Sequence, residues 1–116
     1  APAYLAEAAA EQLLAEGNPT DVYIVNGFPL PDAVLPDIFA RYRSGIVTIE
    51  DGIIGTGSTG LRGFAGFIAG AASGTALPLG HIGITDPRIA PSEGHVEVWE
   101  HFGITVEALT QAVKAL

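Results

Sequence analysis

The residues of this chain that could do chemistry gather in one stretch, Gly45 to Gly60, which reads GIVTIEDGIIGTGSTG. Glu50 and Asp51 close its β-branched run. At the carboxyl end of a parallel strand, such acids can serve as a general base or as ligands to a cation. The sequence offers them no partner, and the simpler expectation is a helix cap or a solvated turn. The residues that follow, Gly55-Thr56-Gly57-Ser58-Thr59-Gly60, spell G-x-G-x-x-G between a strand and a helix, the setting in which backbone amides cradle a diphosphate. Gly55, Gly57, Ser58 and Gly60 are therefore candidate residues for a small-anion or nucleotide site. Against a dinucleotide stand Gly52, Ile53 and Ile54, which separate the strand from the motif. Leu79, Gly80 and His81 also fall where a ribose-binding acid should end the next strand. Close packing of a helix on a sheet accounts for the same glycines, because glycine lets backbones approach.

Other chemistries fail on inventory or spacing. The chain has no cysteine, which removes thiolate zinc, iron–sulfur ligation, disulfides and cysteine nucleophiles. Its three histidines, His81, His95 and His101, lack the i, i+4 or H-E-x-x-H spacing that brings two imidazoles to one metal. His81, at the end of a buried run, is expected to be a hydrogen-bonded structural histidine. No lysine of a phosphate-binding loop follows the glycines, and Gly57-Ser58-Thr59-Gly60 does not fit G-x-S-x-G. No catalytic residue and no metal ligand is assigned.

The elements that must position Glu50 and the glycines follow from periodicity. The 116 residues, 48% hydrophobic, suit a single domain spanning 1–116. Pro2–Glu16 is rich in alanine, leucine and glutamate with helical apolar spacing, and Gly17 and Asn18 end it. Asp21–Asn26 (DVYIVN) reads as a strand buried on both faces. A helix from about Asp32 or Pro36 to Tyr42 leads to a strand over Ile46–Glu50. Leu61, Phe64, Ala65, Ile68 and Ala72 form the inner stripe of a third helix, closed by Gly74. Ala76–Ile82 reads as a buried strand, Val96–Phe102 as a short helix, and Thr105–Leu116 as a capped amphipathic helix. This alternation is that of an α/β domain on a mostly parallel sheet.

Charge narrows the partners. Thirteen acids against five basic residues leave a formal charge of −8, with the basic residues too scattered to track phosphates, so neither nucleic acid nor an anionic membrane is expected. The uncharged run Gly63–Thr85 is long enough to span a bilayer, but its six glycines, with Pro78, Ser73 and His81, are unlike a spanning helix. A start at Ala1-Pro2, without any methionine in the chain, is expected of a processed or excised piece.

The order of motifs resembles the C-terminal domain of the transketolase family of thiamine diphosphate enzymes. The resemblance rests on Ile46-Val47-Thr48-Ile49-Glu50-Asp51-Gly52 with Gly55 and Gly57. It continues through Ile82-Gly83-Ile84-Thr85-Asp86 and Gly94 to Phe102-Gly103-Ile104-Thr105 with Leu109 and Val113, and Leu5–Gly17 is similar to that domain's first helix. It implies a three-layer α/β/α sandwich on a mostly parallel mixed sheet, lacking its first, antiparallel edge strand. It further implies a cytoplasmic structural and dimer-supporting domain, inactive alone, within a homodimeric or heterotetrameric parent. The parent would carry out ketol transfer or 2-oxoacid decarboxylation, with the other domains or subunit as this chain's partners. Thiamine diphosphate and magnesium would be held by those other domains, because the family's Gly-Asp-Gly signature is absent here and Glu50-Asp51-Gly52 does not replace it.

Overall fold

The structure is a computed structural model describing residues 3–25, 33–54, 63–84 and 103–116, with the side chains of 51–53 left aside. Its elements are α1 (Ala3–Ala15), α2 (Val34–Arg41), β1 (Ile46–Ile53), α3 (Gly63–Ala71), β2 (Leu79–Ile84) and α4 (Val106–Lys114). The described residues form a mixed α/β fold, with helices packed on a small parallel sheet in which β1 pairs with β2.

Helix α1 ends as its sequence dictates. Gly17 takes a left-handed φ of 80°, Asn18 N–H donates to Leu13 O at 2.8 Å and Gly17 N–H to Leu14 O at 3.0 Å, the paired bonds of a Schellman cap. Helix α2 accommodates Pro36 because it lies in the first turn, where the backbone N–H needs no intrahelical partner. Its Phe39 is buried with Ile68, Ala72 and Leu77, and Leu35, Ile38, Ile46, Phe64 and Leu79 pack around them. Helix α4 is capped by Thr105, whose Oγ1 accepts from Ala108 N at 3.1 Å, and Glu107 and Lys114 suit its two dipole ends. Lys114 also reaches Glu16 beyond the end of α1, at 2.6 Å, and this hydrogen bond holds the Glu16 carboxyl below its ordinary range. Thr105→Ala is expected to cost about 1 kcal/mol, read as a lower urea midpoint at unchanged slope.

The strands pair in register from Ile46 opposite Leu79 to Ile49 opposite Ile82, with an irregularity before Ile53 meets Ile84. Helix α3 contacts both strands, as does α4, and α1 packs on α4. Leu13, Leu109, Thr110 and Ile104 are buried, none more than 4% exposed.

Three expectations change. Asp21–Val25 forms no strand, and Val22, Tyr23 and Ile24 are 36%, 50% and 55% exposed. A β-branched run supplies propensity, but a strand also needs a neighbour to bond, and among the described residues no backbone hydrogen bond outside helices and strands involves 20–25. Second, β2 begins at Leu79 rather than Ala76. Ala76 sits at a left-handed φ of 59° and Pro78 has no N–H, so pairing starts after both. Third, β1 runs past Glu50 to Ile53. The helix expected over Val96–Phe102 lies outside the described residues.

Candidate functional site

Alternation along β1 places Thr48 and Glu50 on the same face. The parallel register sets His81 opposite Thr48. Thr48 Oγ1 and His81 Nδ1 lie 2.6 Å apart, Thr48 is buried and His81 half-buried. Burial pushes the His81 imidazole below its ordinary value of 6.5, against the opposing pull of the Glu50 carboxylate. The expectation of a hydrogen-bonded structural histidine holds.

Glu50 spans the start of α3. Its Oε2 accepts from Phe64 N at 3.1 Å and its Oε1 from Ala65 N at 2.9 Å. These are amides of a helix N-terminus, which has no intrahelical acceptors for them and carries a partial positive charge. Glu50 therefore occupies, from within the chain, the position at which an external anion would bind this turn of α3. Of the two roles open to it in the sequence, it takes that of a cap.

A hydroxyl, an imidazole and a carboxylate on one sheet face invite comparison with a nucleophilic triad. The geometry does not make one: Thr48 is 4% exposed, and Glu50 bonds amides rather than the second nitrogen of His81. No group of three acids and histidines that could hold a metal occurs among the described residues. Every buried side-chain nitrogen and oxygen among them has a hydrogen-bond partner. Gly55, Gly57, Ser58 and Gly60, with His95 and His101, lie outside the described residues, as does the side chain of Asp51.

A second polar group joins parts distant in sequence. Tyr42, just beyond α2, donates to an Asp21 carboxylate oxygen, and its hydroxyl lies 2.8 Å from that of Tyr23. The two rings meet edge to face at 5.7 Å. The bond to Asp21 pushes the Tyr42 phenol above its ordinary value of 10. The group borders a cavity of about 930 Å³, lined mainly by apolar side chains of α1, α2 and α4 together with residues 21–25 and the Ile46–Ile49 part of β1. Neither Thr48 nor the tyrosine pair was singled out in the sequence. Thr48 carried a signal, a polar residue inside an apolar run two positions before an acid, whereas the tyrosines carried none.

The pH response of His81 follows from burial of its neutral form. Below pH 6.5 the unfolded chain binds a proton that the folded chain resists, so stability is complete above that pH and falls as pH drops towards the folded value. Urea midpoints between pH 7.5 and 5.5 are expected to fall more steeply in the native protein than in His81→Gln. Equal slopes would remove His81 as the cause.

No family model matches the chain, and no curated protein or solved structure matches it.

Proposed function

We propose that this chain is the C-terminal domain, or a separately made piece, of a transketolase-like thiamine diphosphate enzyme, and that it completes the protomer and supports dimer assembly. The observation that carries the reading is the pair of hydrogen bonds that the Glu50 carboxylate accepts from Phe64 N and Ala65 N in the first turn of α3. The strand, its acid and the helix that follows, parts of the segment that resembles that family, are engaged with one another, as a supporting domain requires. The finer architecture proposed is the three-layer α/β/α sandwich. It is supported by the parallel pairing of β1 with β2, by α3 on the Glu50 side of the sheet, and by Ala112 of α4, 3.9 Å from where a Cβ on Gly80 would sit.

Glu50 is not free to hold magnesium, and this reading places thiamine diphosphate and magnesium in the parent's other domains. Both oxygens of Glu50 face amides rather than a cation site, and the Gly-Asp-Gly signature is missing from the sequence. Ketol transfer or decarboxylation is therefore assigned to the other domains of the parent, and no step is assigned to this chain.

The test is complementation. A transketolase-like polypeptide truncated before its third domain is mixed with this chain, and activity and sedimentation are followed. Restored activity with a joint sedimenting species is expected; turnover of ketose phosphates by the isolated chain would end the reading. Titration with thiamine diphosphate, NAD and ATP separates the rival. Saturable micromolar binding with amide shifts confined to Gly55–Gly60 would favour an anion-binding module.

A further inference from the structure

Among the described residues, strand β1 has one partner, β2, and its other edge is open. Ile46 N–H donates to Pro78 O at 3.0 Å, so Ile46 points its backbone groups at β2. In a parallel ladder alternate residues face alternate neighbours, which turns the N–H and C=O of Val47 and Ile49 towards the other side. The four consecutive residues Ile46–Ile49 and the apolar run Val22-Tyr23-Ile24-Val25 line the same cavity of about 930 Å³. An open edge on a strand with helices packed against it leaves obligatory hydrogen-bonding groups beside apolar surface.

We propose that residues 21–25 add to this edge of β1 as a third parallel strand, and that the cavity is the opened form of the joint. Three observations agree on the occupant. The run has the β-branched and aromatic composition of a strand buried on both faces, yet Val22, Tyr23 and Ile24 are exposed. The Asp21–Tyr42 and Tyr23–Tyr42 bonds hold the leading end of the run against the chain just ahead of Ile46, so both segments set out from the same end, as parallel pairing requires. The connection between them passes through α2, the helical crossover that parallel neighbours use. Closure fills the cavity and leaves the edge no longer exposed; opening presents an apolar slot. This joint does not depend on the role proposed above.

Residue-resolved hydrogen exchange on the intact chain tests it. Alternate amides within 21–25, and those of Val47 and Ile49, are expected to exchange at least about a hundredfold more slowly than an unstructured reference. Exchange at unstructured rates there, with Thr48 protected, would overturn the proposal. Protection that grows with protein concentration would place a second copy on the edge, and would overturn it equally. Ile24→Pro, which removes a donor and breaks a strand, is expected to abolish protection at Val47 and Ile49 while sparing Thr48. Persistence at Val47 and Ile49 would mean that something else covers the edge.

Discussion

Glu50→Ala is expected to lower the unfolding free energy by about 3 kcal/mol, because two partly buried amides lose their acceptor at roughly 1–3 kcal/mol each and the start of α3 loses a compensating charge. Glu50→Gln keeps a carbonyl acceptor but not the charge, and is expected to cost about half as much. Urea unfolding followed by circular dichroism gives both values. The result also bears on function. A carboxylate kept for catalysis is commonly a burden on the fold, and its removal leaves stability unchanged or higher. A cap behaves in the opposite way, so an Ala variant as stable as the native chain would remove the capping role.

Gly45→Ala is expected to be equally severe, at about 3 kcal/mol. Gly45 holds a φ of 130°, which side-chain-bearing residues rarely adopt. A Cβ there would lie 2.8 Å from Pro78 O and 2.9 Å from Leu116 Cδ2. Leu116 presents the far end of a flexible side chain and can swing away. Pro78 O cannot, because it accepts the Ile46 N–H bond that opens the ladder. Calorimetry is expected to show a loss of about 10 °C or more in Tm, and a smaller loss in Gly17→Ala, where φ is also positive but a Cβ meets nothing within 4 Å. Equal losses would mean that backbone strain alone, and not the clash, sets the cost.

The helices were legible because their information is local. Gly17-Asn18 ends α1, Thr105 starts α4, and Ala65 and Ile68 of α3, with Ala72 just beyond its end, are buried as the spacing requires. The cap role of Glu50 could be anticipated from its place between a strand and a glycine-led helix. The bond from Thr48 to His81 could not, since it depends on a register between strands 33 residues apart. Asp21–Val25 failed for a related reason: propensity names a segment fit to be a strand, while pairing decides whether it is one. Tyr23 and Tyr42, 19 residues apart, meet at a separation that no short-range pattern spans.

The packing of α1 on α4 also governs the order of assembly. Helix α1 has its docking surface on α4, far downstream in sequence, so that face of α1 stays uncovered until α4 has been synthesised. Contacts of such long sequence separation close late and slowly. The unit of β1, α3 and β2 is therefore expected to form first, with α1 and α4 joining as the final step.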